Sequence, residues 1–186
     1  MKTSLIKLIL EESGKHTYGC AMLHFDATPL LKIQDAIKPE DVYKNDSGEG
    51  RKFGLEDNFH VTLLYGLQDG VSLQEVKAAL KGIKFGPIVL HNLSKFDNPE
   101  YDVLKFDVRY PDKGGAFLNK ANEALKKLPY TSDYPDYKAH VTVGYLKKGE
   151  AQKYIDKLKD YELQVTPDYA LYSTPNGTET KIEINK

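Results

Sequence analysis

The chain of 186 residues is short of several things. It has one cysteine, Cys20, no tryptophan, and only two arginines, Arg51 and Arg109. A single thiol excludes an internal disulfide framework and a cysteine-built zinc site, and makes a reducing compartment the expected setting. Charge of one sign is also missing: Lys plus Arg is 26 against Asp plus Glu at 27, a formal net charge of −1. Proteins that coat long DNA or RNA carry a basic excess, because phosphate neutralisation dominates that affinity. This balance argues against long DNA as a partner and leaves a small nucleotide in a local pocket as the compatible ligand. No apolar run approaches the roughly 20 residues of a membrane span. The opening stretch from Ser4 to Leu10 is interrupted by Lys7 and closed by Glu11-Glu12, with no small-residue cleavage site behind it. It reads as a short helix stopped near Gly14, so no membrane contact and a cytoplasmic location (the host's, for a viral protein) are expected.

Chemical signatures are missing as well. There is no Gly-x-Ser-x-Gly nucleophile elbow. Gly48, Gly50 and Gly54 follow no strand and end in no Gly-Lys-Ser/Thr, so they form no phosphate cradle. His24-Phe25-Asp26 has no second cluster to complete three or four ligands, and neither metal nor cofactor is expected.

What is present is ordinary in amount, with 40% hydrophobic and 28% charged residues, enough for one domain over 1–186 with its own core. Strands are predicted over 18–25, 58–67, 87–96, 101–110 and 137–146. A final hairpin is expected from 161–173 and 178–184, turned at Pro175-Asn176-Gly177. Helices are predicted over 30–37, from Ser72 (whose Ser72-Leu-Gln-Glu75 is a capping box), over 115–128 and over 150–158. The alternation is α+β with antiparallel pairs. Two long polar loops, 38–57 and 129–136, each run directly into a histidine-bearing strand.

Those two strands are near copies. Asn58-Phe-His-Val-Thr-Leu-Leu-Tyr65 matches Lys138-Ala-His-Val-Thr-Val-Gly-Tyr145, and each is followed by a helix. Two such strand–helix units predict two lobes related by an approximate twofold. With a strand period of two, His60 and Thr62 share one face and His140 and Thr142 share the equivalent face, each pair about 7 Å apart. By the same alternation Tyr65 and Tyr145 fall on the core side. Ten threonines and five histidines yield about 0.3 His-x-Thr triplets by chance, so one copy means little, whereas two in matching strands do not arise that way. Two imidazoles can serve as base and acid in one cycle, and two hydroxyls suit the non-bridging oxygens of a phosphate. That set matches metal-free cleavage of a phosphodiester beside a ribose hydroxyl.

On His60-Val61-Thr62-Leu63 and His140-Val141-Thr142-Val143 the sequence resembles the 2H phosphoesterase superfamily, whose members carry two His-hydrophobic-Thr/Ser-hydrophobic motifs. The resemblance implies a bilobal α+β fold, with two antiparallel sheets and flanking helices around a central cleft. It implies that His60 and His140 are the acid and base and that Thr62 and Thr142 hold the phosphate. Small size and near-neutral charge further resemble the phage branch that cleaves cyclic oligonucleotide signals of CBASS immunity. A small cyclic nucleotide or oligonucleotide is therefore the expected substrate. The alternatives are RNA ends, 2′,3′-cyclic phosphates or 2′–5′ linkages, or a module that only sequesters nucleotides.

For holding the substrate, the 13 tyrosines and 7 phenylalanines offer stacking surfaces. Tyr18, Phe53, Tyr134 and Tyr137 lie in or beside the two loops, and Tyr65 and Tyr145 follow the motifs. Arg51 is the loop cation able to meet a second phosphate. Oligomeric state is left open by the sequence.

Overall fold

The computed structural model describes residues 18–26, 28–44, 53–111, 115–131 and 136–185. Arg51, Tyr134 and the helix expected over 4–10 lie outside the described residues. Among the described residues eight strands form two four-stranded antiparallel sheets. The first sheet has the order β2-β1-β7-β8, from β1 (Gly19–Phe25), β2 (His60–Leu67), β7 (Pro167–Ser173) and β8 (Glu179–Glu183). The second has the order β5-β4-β3-β6, from β3 (Ile88–Asp97), β4 (Tyr101–Arg109), β5 (His140–Lys147) and β6 (Leu163–Val165). The two histidine-bearing strands, β2 and β5, are thus the first strand of each sheet, and they lie against each other at the boundary between lobes.

Four α-helices among the described residues accompany the sheets: α1 (Thr28–Gln34), α2 (Leu73–Leu80), α3 (Phe117–Leu125) and α4 (Ala151–Leu158). The capping box at the start of α2 is formed, with the Ser72 hydroxyl accepting from the Glu75 N–H and the Glu75 carboxylate accepting from the Ser72 N–H. Connections between strands of one sheet cross to the other lobe. Helix α1 leaves β1 of the first sheet and packs against β5 of the second. Helix α3 leaves β4 of the second sheet and packs against β2 of the first. The main core is accordingly shared, with Leu23, Val61 and Leu63 in the same cluster as Phe106, Val141 and Val143.

One predicted element is corrected. The single strand expected over 161–173 is two strands, β6 and β7, which belong to different sheets. The break falls at Thr166, immediately before Pro167. Proline has no N–H for a ladder, and it stands where the chain leaves one sheet for the other.

Candidate active site

Each catalytic candidate opens a strand. His60 begins β2 and His140 begins β5, both half-buried. The ring Nδ1 of His60 lies 2.8 Å from the Asn58 carbonyl, and that of His140 lies 3.0 Å from the Lys138 carbonyl. In each case the partner is the backbone oxygen two residues upstream. A carbonyl only accepts, so Nδ1 carries the hydrogen and Nε2 is the nitrogen left to take or give a proton. Both imidazoles are held in the same tautomer by the same local device.

Thr62 and Thr142 share the histidine face, as the strand period requires. The strands then depart from simple alternation. In β2, Thr62 pairs with Met22 of β1 while Leu64 pairs with Ala21, so Leu63 is an extra residue. In β5, Thr142 pairs with Lys105 of β4 while Gly144 pairs with Leu104, so Val143 is the extra residue. These are two β-bulges at equivalent positions, and each shifts the following residues to the opposite face. Tyr65 and Tyr145 therefore sit on the histidine side of their sheets, not on the core side that unbroken alternation predicts. Tyr65 packs with Cys20, Met22 and Leu171, and Tyr145 with Tyr101 and Val103.

A bulge leaves a carbonyl without its ladder partner, and a buried orphan carbonyl is costly. Both are met by a buried amide from the crossing helices. Asn122 on α3 donates to the Leu63 carbonyl at 2.7 Å, and Gln34 on α1 donates to the Val143 carbonyl at 3.0 Å. Gln34 also donates to the Glu56 carbonyl at 2.7 Å. These two side chains explain why polar residues stand in otherwise apolar helix faces.

The free edges of β2 and β5 are covered by the segments that lead into the opposite strand. Residues before β2 pair with β5: the Tyr145 N–H donates to the Gly54 carbonyl at 2.7 Å, and the Glu56 N–H donates to the Val143 carbonyl at 3.0 Å. A Cβ on Gly144 would stand 3.1 Å from the Gly54 carbonyl oxygen and from Leu55 Cα, so this close approach favours glycine there. Residues before β5 pair with β2: the Thr131 N–H donates to the Gly66 carbonyl at 2.8 Å. Tyr137 adds a tie between lobes, its hydroxyl donating to the Thr62 carbonyl at 2.9 Å.

The remaining expected contacts divide. Tyr18 meets Tyr65 edge-on at 6.1 Å between centroids, on the rim of the first sheet. Phe53 meets Tyr43, Tyr101 and Tyr145 at 5.0–5.5 Å and covers the second sheet. Tyr145 is only 2% exposed beneath that cluster, so its ring packs the wall instead of presenting a surface to a ligand. Tyr137 donates its hydroxyl to the Thr62 backbone, and burial pushes its phenol far above the usual range, so that hydroxyl acts as a tie between lobes.

His24 was not expected in the site. It lies directly opposite His60 on β1, with ring centroids 5.4 Å apart, and stacks on Tyr169 of β7 at 5.0 Å and 10°. It is 2% exposed, and neither ring nitrogen has a well-formed hydrogen bond, only approaches from Asn58 and the Phe59 backbone. Burial, then the charges of His60 and Lys181, bring its pKa down to about 4, so His24 is neutral at pH 7. Its position on the face of Cys20 and Met22 was readable from alternation; its place beside His60 depended on strand pairing.

The equivalent position beside His140 is taken by Asp107, and next along β4 stands Lys105. Lys105 donates to the Asp107 carboxylate, as does Asn92. Burial alone raises the carboxyl, yet these bonds and the Lys105 charge hold it below its ordinary value. The Lys105 ammonium lies 4.9 Å over the Phe96 ring, whose edge meets the His140 ring at 5.0 Å. Burial, above all, lowers the His140 pKa; Lys105 and His60 act in the same direction, against the Lys138 carbonyl and Asp107. The charge of one motif histidine is thus felt by the other across the boundary between β2 and β5. Among the described residues no three His, Cys, Asp or Glu side chains are grouped to hold a metal ion, and no helix is long and apolar enough to cross a membrane.

No protein-family model matches the chain, and no curated protein matches it in sequence. Solved structures do match. Usb1 of Kluyveromyces marxianus is 11% identical, with a TM-score of 0.57 over 90% of this chain and 98% of that one. The same protein solved with uridine monophosphate gives 0.55 at 11% identity, over 90% and 99%. E. coli LigT complexed with 3′-AMP gives 0.48 at 12% identity, over 91% and 99%. At 11% identity along nearly the whole of both chains, what this protein shares with Usb1 is its fold.

Proposed function

We propose that the protein is a metal-independent phosphodiesterase of the 2H type, acting on small nucleotides that bear a free 2′-hydroxyl. The observation that carries the reading is the matched pair of Nδ1–carbonyl locks, which leaves one Nε2 from each lobe for proton transfer. His140, with its pKa lowered, is neutral at pH 7 and is the base; His60 is the acid. His140 Nε2 takes the proton of the 2′-hydroxyl, and the 2′-oxygen attacks the adjacent phosphorus. The bond from phosphorus to the 5′-oxygen breaks, and His60 Nε2 gives that oxygen a proton. The product end carries a 2′,3′-cyclic phosphate, which water opens with the two roles exchanged. Thr62 and Thr142 donate to the non-bridging oxygens throughout.

The substrate we place first is a cyclic oligonucleotide messenger, cleaved at its 3′–5′ bonds as in evasion of CBASS immunity. The near-neutral chain and the partly exposed rings of Tyr65, Tyr169, Phe53 and Phe96 on the histidine faces support a compact, partly stacked ligand over a long polyanion. Processing of RNA ends is the second reading, favoured by the fold shared with Usb1, which has been solved with uridine monophosphate. Mass spectrometry of products from cyclic di- and trinucleotides, 2′,3′-cyclic mononucleotides and short RNAs separates the two. His60→Ala and His140→Ala are each expected to lower turnover by roughly 10²–10⁴-fold with the fold intact, and EDTA to change nothing. Unaltered turnover in either variant, or loss on chelation, sinks the scheme.

A further inference from the structure

Strands β2 and β5 carry the same machinery, but the strands beside them do not. Opposite Thr62 on β1 stands Met22; opposite Thr142 on β4 stands Lys105. Opposite His60 stands neutral His24; opposite His140 stands Asp107. The approximate twofold therefore fails where a doubly bonded phosphate would feel it. Residues directly opposite on antiparallel strands share a face with Cβ atoms about 4.5–5.5 Å apart, so Lys105 rises beside the Thr142 hydroxyl. Its side chain is largely buried, and its ammonium is steered by Asp107 and the Phe96 ring toward His140. Ser94, opposite Lys105 on β3, has a buried hydroxyl with no hydrogen-bond partner, so nothing on that side competes for the Lys105 ammonium.

The geometry points to Lys105, with Thr142, as an anion subsite for the phosphate at the reacting centre, a cationic half facing an uncharged half built on Thr62 and Met22. This rests on the phosphodiester reading and adds to it the side from which the phosphate is held. An ammonium has three hydrogens, so Lys105 can keep Asp107 and still donate to a non-bridging oxygen. A charge-assisted bond of this kind in a water-poor site is expected to contribute about 10–100-fold in affinity.

The probe is uridine monophosphate, with uridine as the ligand that lacks the anion, titrated calorimetrically into the full chain. Lys105→Met, which copies Met22 of the other lobe, is expected to weaken the monophosphate by about 10–100-fold and to leave uridine unchanged. If that variant melts more than a few degrees lower, Lys105→Gln, which still donates to Asp107, is read in its place. Equal losses for both ligands, no loss for the monophosphate, or no binding of the monophosphate to the wild type would each overturn the subsite. A wild type that binds the monophosphate through Lys105 but cleaves no phosphodiester would overturn the proposed activity and leave the subsite standing.

Discussion

At the scale of single residues, the site is a set of side chains whose charge is decided by immediate neighbours. His24 is the clearest case: with a pKa of about 4 in the folded chain against about 6.5 when unfolded, it binds its proton more readily in the unfolded state. Its contribution is therefore present above pH 6.5 and is lost as pH falls toward 4, at a cost of about 3 kcal/mol. Urea midpoints at pH 7 and pH 4.5 should show a smaller acid loss in His24→Phe than in the wild type; equal losses would remove His24 from the account. His140 is shifted in the same direction, and in the proposed role of base it must be neutral. The acidic limb of the rate profile should accordingly lie below the ordinary imidazole value of about 6.5. A limb at or above that value would contradict the assignment of His140 as base. The two His-x-Thr pairs were legible because alternation alone puts them on one face. His24 was not, since nothing within 18–25 says which strand will lie beside it.

At the scale of elements, the bulges at Leu63 and Val143 re-aim everything after the motifs. They were hidden because both faces of β2 and β5 are apolar there: Leu63 and Leu64 are both buried, and Gly144 has no side chain to betray its direction. Two consecutive core residues in a half-exposed strand were the available sign. The amides that hold the bulges were equally silent, since Gln34 and Asn122 look like ordinary polar helix residues until the helices cross lobes. Asn122→Leu removes the donor to the Leu63 carbonyl, which should cost about 1–3 kcal/mol of stability, whereas Gln34→Leu should cost less, because the Val143 carbonyl keeps the Glu56 N–H. If the bulge sets the aim of Thr62 and Thr142, kcat should fall with KM little changed, measured well below the melting temperature. Stability lost without any change in kcat would leave these amides with a purely structural role. The break at Thr166 belongs at this scale too: Pro167 was visible, but only the sheet assignment shows that the chain changes lobes there.

At the scale of the whole molecule, the two-lobed α+β plan followed from the repeat, because two copies of a strand–helix unit need two sheets to belong to. The exchange between lobes did not, since crossing connections leave no periodic mark in a chain. Each motif strand has its outer edge completed by the stretch that feeds the other: Gly54 to Glu56 on β5, and Tyr130 to Thr131 on β2. Both helices that cap the bulges are likewise borrowed from across the boundary. The molecule is thus laced like a boot rather than hinged like a book. Either half alone lacks the stretch that closes the outer edge of its own motif strand, and the helix amide that holds its bulge.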